Sequence, residues 1–337
     1  MPSTSVSVII PTYQAERTIP ELLERLSGQT CPPAEIIVVD SSSDDRTAEF
    51  VSGAGCLMET IRKEDFSHGG ARNLGVSLAK CEILVFMTQD ALPFNSVFLE
   101  TLIAPIVNEE AAASSARQVA GNHATPLETY ARMKNYPAES RVYTMEAVRG
   151  KSGSRVLFSN VASAFNRAIF QEIGGFPEDL IVNEDMLISE RLIKAGYAVS
   201  YQAEAVVEHT HNYGAVDMFR RYFDIGVFFS QVGAEMDRSS ITGSGIEFAI
   251  GELRYLWKQG KWGLIPLSIF FSMEKFIAFR FGMNWKSLPH KLGKVLSRHP
   301  MVFLRLEIPK RQSGSISIKE RFIPDHESTG SEDQKVK

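Results

Sequence analysis

The chain has 337 residues, of which 44% are apolar and 23% charged, with 24 Gly and 15 Pro; this balance excludes collagen-like, intrinsically disordered and disulfide-scaffold chains. The length fits one large domain, or a domain of roughly 220 residues with an appended piece. A formal net charge of −4 argues against whole-protein attraction to nucleic acid, so no nucleic-acid partner is expected.

In chain order, Val6–Ile10 is a β-branched run ending at Pro11, hence a strand. Ile19, Leu22, Leu23 and Leu26 have helical spacing. Glu35–Val39 reads as a second buried strand stopping at Asp40. Asp44 or Asp45 can cap a helix that ends near Gly53, and Cys56–Ile61 fits a third strand. Gly70–Lys80 reads as helix and Ile83–Met87 as a fourth, fully apolar strand. Apolar strands separated by short helices mean βαβ units, an α/β fold and a mostly parallel sheet covered on both faces. Ligands of such sheets bind beyond the carboxyl ends of the strands. Thr12, Tyr13, Asp40, Ser41, Ser43, Thr88, Gln89 and Asp90 should therefore line one crevice.

Further along, Val156–Phe165 fits a strand, Arg167–Ile173 a short helix, and Gly174-Gly175 a break. Glu184–Ala195 is helical with Gly196 as its stop. Tyr197–Tyr201 and Val206–Val207 read as two short strands, and everything beyond Ala215 as helix rich in aromatic residues. After Gln312 the chain is Ser-, Gly- and charge-rich without periodicity, which predicts disorder. Cys31, Cys56 and Cys81 have neither CxxC nor Cys/His metal spacing, so a reducing compartment is expected. The first residues have no basic region followed by an apolar run, which places the protein in the cytoplasm by expectation.

Several chemistries are excluded by missing motifs. No G-x-G-x-x-G follows a strand, and Met145 stands where a P-loop ending in Gly150-Lys151-Ser152 needs its first glycine. Neither H-E-x-x-H nor G-x-S-x-G occurs. What remains is carboxylates at strand ends. Asp40 suits a turn or cap as well as a ligand contact. Asp90 suits a cap, or a hard divalent cation bridging phosphates. Glu184-Asp185 opens a helix, where acidic residues are favoured anyway. His209 and His211 fit a surface loop or an H-x-H metal pair.

The order of these elements carries more. Val8-Ile9-Ile10-Pro11-Thr12-Tyr13, Ile36–Asp44, Gly70-Ala71-Arg72-Asn73-Leu74-Gly75, Phe86–Asp90 and Asn183-Glu184-Asp185 resemble family 2 glycosyltransferases of the GT-A fold, over about residues 5–210. Phe66–Asn73 and Thr88–Pro93 are most similar to the rhamnosyltransferase branch. The resemblance implies a GT-A domain over 1–214; the composition beyond it points to a helical, aromatic and basic extension over 215–311 and a disordered tail over 312–337. It implies an inverting transfer from a nucleoside-diphosphate-sugar, dTDP-L-rhamnose as first expectation and a UDP-hexose as the rival, to a hydroxyl of a glycan or lipid-linked acceptor in surface polysaccharide assembly. Donor-binding positions would be Pro11, Thr12, Tyr13, Asp40, His68, Arg72, Asn73, Gln89 and Asp90, with Asp40 accepting the base imide N–H. Thr88-Gln89-Asp90 occupies the place of the D-x-D motif, and Thr88 departs from it. A divalent metal, Mg²⁺ or Mn²⁺, would then rest on Asp90 with His209 or His211. Asp185 would be the catalytic base, and Ser159, Asn160 and Glu184 would face the acceptor. A non-catalytic sugar-nucleotide-binding protein is the reading that Thr88 favours. A hydrolase using Asp40 as nucleophile lacks partner residues.

The last expectation concerns a membrane. From Arg254 to Arg311 twelve Lys/Arg face only Glu274 and Glu307, so this stretch invites an anionic surface. The uncharged run Trp262–Met273 is short for a span. An interfacial element with Trp257, Trp262 and Trp285 as belt residues is preferred over a packed subdomain or dimer contact, placing the protein peripherally on the inner membrane face.

Overall fold

The structure, a computed structural model, describes residues 5–149, 156–236 and 239–307; the expected disordered tail and Gly150–Ser152 lie outside them. The first half alternates as expected: β1 (Val6–Thr12), α1 (Ile19–Ser27), β2 (Glu35–Asp40), α2 (Thr47–Gly53), β3 (Leu57–Thr60), α3 (His68–Leu78) and β4 (Ile83–Met87). Then come β5 (Leu92–Pro93), α4 (Phe98–Val107), β6 (Ala113–Val119), α5 (Pro126–Asn135), β7 (Arg141–Tyr143) and α6 (Met145–Arg149). The mixed region holds β8 (Ala162–Asn166), α7 (Arg167–Glu172), α8 (Glu184–Lys194) and β9 (Val199–Glu208). Helices α9 (Ala215–Val232), α10 (Ser239–Lys258), α11 (Ile265–Met283), α12 (His290–Leu296) and α13 (Pro300–Glu307) complete the described chain.

All nine strands join one sheet, in the order β3-β2-β1-β4-β8-β6-β9-β5, with β7 also on β9. Pairings among β1, β2, β3 and β4 are parallel, as expected. The second half departs from the parallel pattern: β8 runs antiparallel to both β4 and β6, and β5 and β7 antiparallel to β9. Two boundaries also differ. The strand expected over Val156–Phe165 begins only at Ala162, because the chain turns at Asn160-Val161 to bring Ser159-Asn160 to the crevice. The two short strands near 197–207 are one strand, β9, whose register against β6 shifts between Ala116 and Arg117. Such a bulge leaves extra residues unpaired and breaks the regular pattern that the sequence reading looked for.

The pleat sorts side chains to the two faces. Val6, Val8 and Ile10 of β1 and Ile83, Val85 and Met87 of β4 pack with α1, α2 and α4. Their alternates Ile9, Leu84 and Phe86 pack on the other face, around edge-to-face Phe165, Phe170 and Phe176. A third core joins Leu180, Ile181 and Leu187 to Phe223, Val227, Phe228, Trp285, Val302 and Phe303. It ties the helical extension to the start of α8. Within it α9 and α11 cross at Gly226 and Gly282, where a Cβ on Gly282 would run into the carbonyl of Phe223 and into Gly226. Gly282→Leu should therefore destabilise the protein by about 1–3 kcal/mol, read as a lowered urea midpoint; an unchanged midpoint would mean the two helices are free to separate.

Candidate active site

Side chains at the carboxyl ends of β1, β2 and β4 meet as the strand order requires. Thr12 Oγ1 donates to Asp40 Oδ1 at 2.8 Å, and Ser43 donates to both Asp40 oxygens, from N at 2.8 Å and Oγ at 2.7 Å. Asp40 thus holds its own turn as well as facing the crevice. The backbone N–H of Tyr13 donates to Gln89 Oε1 at 2.8 Å and Gln89 Nε2 returns to the Tyr13 carbonyl at 3.1 Å. Lys63 lies over the Tyr13 ring, 4.3 Å from its centre. Pro11 stays within β1, paired in register with Val39.

The segment 88–90 reaches the opposite wall through Thr88 N, which donates to the Val161 carbonyl at 3.0 Å. One residue earlier, Asn160 N donates to Asp185 Oδ2 at 2.9 Å, and Asn160 Nδ2 to Glu184 Oε1 at 3.1 Å. Arg72, on α3, sets Nη1 3.1 Å from the same Glu184 oxygen, both side chains almost fully enclosed. A short chain of bonds therefore links the β1 end, the β4 end and the first turn of α8. Asn183, just before that turn, is left-handed at φ 60°, which swings Glu184 and Asp185 toward Asn160. Burial, then the charge of Glu184, push Asp185 up to about 6, against the Asn160 N–H, Arg72 and the Met186 N–H.

Asn160 and Glu184 are enclosed, so they act on Asp185 and Arg72 rather than lining the acceptor space by themselves. Ser159 lies beside them and accepts from Val161 N at 3.3 Å. Asn73 is committed elsewhere: its amide bonds to Phe176 N, Phe176 O and Glu178 Oε1, pinning α3 to the turn after Gly174-Gly175. The His68 carbonyl accepts from the same Arg72 Nη1 at 2.9 Å.

Asp90, His209 and His211 converge. His209 Nε2 lies 3.5 Å from Asp90 Oδ1 and His211 Nε2 3.5 Å from Oδ2, and the donor atoms all fall within 4.8 Å of one another. Burial lowers His209 and takes His211 down to about 3, so both imidazoles are neutral donors. The tautomer follows from Gln118. Arg132 Nη1, which can only donate, meets Gln118 Oε1, and His209 Nδ1 lies 2.9 Å from the same oxygen. His209 Nδ1 therefore carries the proton. Its Nε2 lone pair then faces an anionic carboxylate oxygen, an arrangement a shared cation relieves. Two nitrogens and a carboxylate suit Mn²⁺ or Zn²⁺ better than Mg²⁺, which prefers oxygen donors.

The sequence reading missed four contributors. Gln118 lies in a stretch, 92–149, that carried no legible motif. His299, whose Nε2 comes to 3.4 Å from that of His68, and Arg298 sit in the extension, Tyr213 just before it, and the third core brings the extension to the crevice.

A crevice at the carboxyl ends of parallel strands, an acid–histidine cluster and a buried carboxylate opposite suit a glycosyl-transfer site, and the comparisons agree. The sequence profile of glycosyl transferase family 2 matches residues 7–174. The O-antigen chain rhamnosyltransferase RfbN of Salmonella typhimurium is 36% identical over 287 residues, covering 84% of this chain and 91% of that protein. WbaN of Salmonella anatum, also an O-antigen chain rhamnosyltransferase, is 35% identical over 288 residues, 85% of this chain and 91% of that one. The chain belongs to glycosyltransferase family 2 and is a rhamnosyltransferase-like enzyme. Among solved structures, the mannosyltransferase PcManGT of Pyrobaculum calidifontis, in complex with GDP-Man and Mn²⁺, aligns with TM-score 0.54 at 18% identity, over 89% of this chain and 86% of that one. S. aureus TarS 1-349 in complex with UDP aligns with TM-score 0.50 at 18% identity, over 83% and 90%. At these identities the likeness is one of GT-A fold.

Proposed function

We propose that the protein is an inverting rhamnosyltransferase of surface polysaccharide assembly, taking dTDP-L-rhamnose as donor and a lipid-linked glycan hydroxyl as acceptor. The observation that carries the transfer chemistry is the placement of Asp185 two hydrogen bonds, through Asn160-Val161, from the segment that ends in Asp90. The Salmonella relatives support the choice of sugar and pathway class. Thr12, Tyr13 and Asp40 line the base end, and Asp40 Oδ2 retains one lone pair for a thymine imide N–H. Asp185, backed by the Asn160 N–H, takes the proton of the acceptor hydroxyl as its oxygen attacks the anomeric carbon. Its raised pKa matches that work: a base near 6 is ionised at neutral pH yet holds a proton better than an ordinary aspartate.

A divalent ion held by Asp90, His209 and His211 would supply positive charge for the departing diphosphate. Gln118 fixes the His209 tautomer, which keeps Nε2 available. The extra nitrogen donor compensates for Thr88, where other family members carry a carboxylate. A catalytically inert binding protein is the weaker reading, because Asp185 keeps its complete hydrogen-bonded surround.

The direct test is thermal shift with dTDP- and UDP-sugars, with and without Mn²⁺ or Mg²⁺. The cognate donor should add about 2.7 kcal/mol at a hundredfold excess over Kd; stabilisation by UDP-sugars alone would reassign the donor. Transfer rate against pH should rise through about pH 6 and level off above, since only ionised Asp185 accepts the proton. A rate flat from pH 5 to 8 would remove Asp185 from that role.

We also propose that α11 lies on an anionic lipid surface. Trp262–Met283 is a 22-residue apolar helical segment, longer than the uncharged run alone, with mean hydropathy 1.3 and length and composition sufficient to cross a membrane. Its inner face, at Ser268, Ala278 and Gly282, is packed. Its outer face exposes Phe270, Met273 and Phe276, with Trp257 and Trp262 beside them. Exposed Lys258, Lys261, Arg280 and Lys286 flank it. A packed helix with a greasy outer stripe and cationic rim fits an interfacial position. Trp285 does not join that belt, being buried against Phe303. Changing Phe270, Met273 and Phe276 together to Ser should cut partitioning into anionic vesicles by at least about tenfold; unchanged co-sedimentation would count against the lipid contact.

A further inference from the structure

The helical extension does more than flank the catalytic domain. A small pocket beside the active site is lined by Asn183, Arg221, Asp224, Arg298 and His299. Asn183 directly precedes the Glu184-Asp185 pair. On the other side, Tyr213 stacks on His211, ring centres 5.0 Å apart and planes at 20°. Both arginines sit on that same tyrosine, Arg298 at 4.8 Å and Arg221 at 5.5 Å from the ring centre. The pocket therefore borders the base candidate and the Asp90–His209–His211 cluster together.

Its charge is not balanced. Among the described residues neither guanidinium forms an ion pair; Arg221 reaches only the Tyr213 hydroxyl, at 3.4 Å. Asp224, the carboxylate in the pocket, accepts the backbone N–H of Arg298 at Oδ2, 2.9 Å away, instead. Arg72, nearby, is already matched by Glu184. Both free arginines remain solvent-exposed. Burial, then Arg72, Arg298 and Arg221, hold His68 down to about 3, so the field here is cationic. Their placement is also fixed. Arg305 donates to the carbonyls of Asp65 and Phe66, and His299 meets His68, so the 297–305 segment is clamped onto the catalytic domain. Two planar donor forks on one rigid aromatic ring, without a carboxylate of their own, are suited to phosphate oxygens.

We propose that Arg221 and Arg298 form a pyrophosphate clamp, contributed by the extension and completing the active site. The clamp rests on the transferase reading above, which offers two sources of that chemistry: the nucleoside diphosphate of the donor and the diphosphate of a lipid-linked acceptor. Arg298 thereby serves the crevice, and not the lipid surface that its basic neighbours invite.

The test uses the full chain and the variants Arg221→Met, Arg298→Met and the pair, with far-ultraviolet circular dichroism and melting temperature as folding controls. Calorimetric titration with inorganic pyrophosphate and with dTDP, both with Mg²⁺, needs no transfer, so it stands even if the donor sugar is misassigned. Pyrophosphate affinity should fall at least tenfold in the double variant, with partial recovery in Arg221→Lys. A matching loss for dTDP identifies the donor diphosphate. Unchanged dTDP affinity with a raised KM for a polyprenyl-diphosphate-linked acceptor identifies the acceptor. Should the double variant misfold, the single variants carry the same comparison. Folded variants that bind pyrophosphate and dTDP as the wild type does, with acceptor KM unmoved, would overturn the clamp.

Discussion

Asp185→Asn is expected to lower kcat by about a hundredfold to ten-thousandfold, the span of a lost general base, while leaving nucleotide affinity within a factor of two or so. The substitution is nearly isosteric, and the Asn160 N–H that now donates to Asp185 Oδ2 at 2.9 Å can donate to an amide oxygen equally well. Nothing at the base end changes, because Thr12, Asp40 and Ser43 are bonded to one another and not to Asp185. The separation is what makes the result informative. A joint collapse of rate and nucleotide binding would point to a structural role, whereas wild-type turnover would leave the transfer without its base. Glu184→Gln is the useful companion. It removes the charge that helps raise Asp185 and also the partner of enclosed Arg72, so the pH midpoint of the rate should move downward along with a loss of stability.

Asp90→Ala should be nearly as damaging, costing about a hundredfold to a thousandfold in rate if the cluster supplies the charge for the leaving diphosphate. It should abolish detectable Mn²⁺ binding by calorimetry at the same time. His209 and His211 are neutral, so without Asp90 the pocket offers a divalent ion two nitrogens and no negative charge. Gln118→Leu separates orientation from ligation. Gln118 touches Nδ1 of His209 and no ion directly, so metal affinity should fall about tenfold to a hundredfold, as for other partners that orient a metal-binding imidazole. Chelator treatment of the wild type should mimic Asp90→Ala and be reversed by added Mn²⁺. Turnover unaffected by chelator would retire the metal reading while leaving Asp185 in place.

The sequence by itself determined the α/β half. Uninterrupted apolar strands at Val6–Ile10, Ile36–Val39 and Ile83–Met87 can be satisfied only between two layers of helix, and their polar ends then gather at one edge whatever the rest of the chain does. Asp40 and Asp90 were legible for that reason, whereas Asp185, in the first turn of α8, was legible only through the resemblance carried by the order of motifs. The fate of Asn73 was not, because an amide's partners depend on which turn packs over it, and here that turn is a hundred residues away. Nor was the choice between His209 and His211, since an H-x-H pair on a strand end points its rings by the bulged register of β9, which no local pattern encodes. The contribution of Arg221, Arg298 and His299 was decided by tertiary structure alone. Buried Phe223, Trp285 and Phe303 draw the extension onto α8, and that long-range packing, with no sequence-local signature, brings their side chains to the crevice.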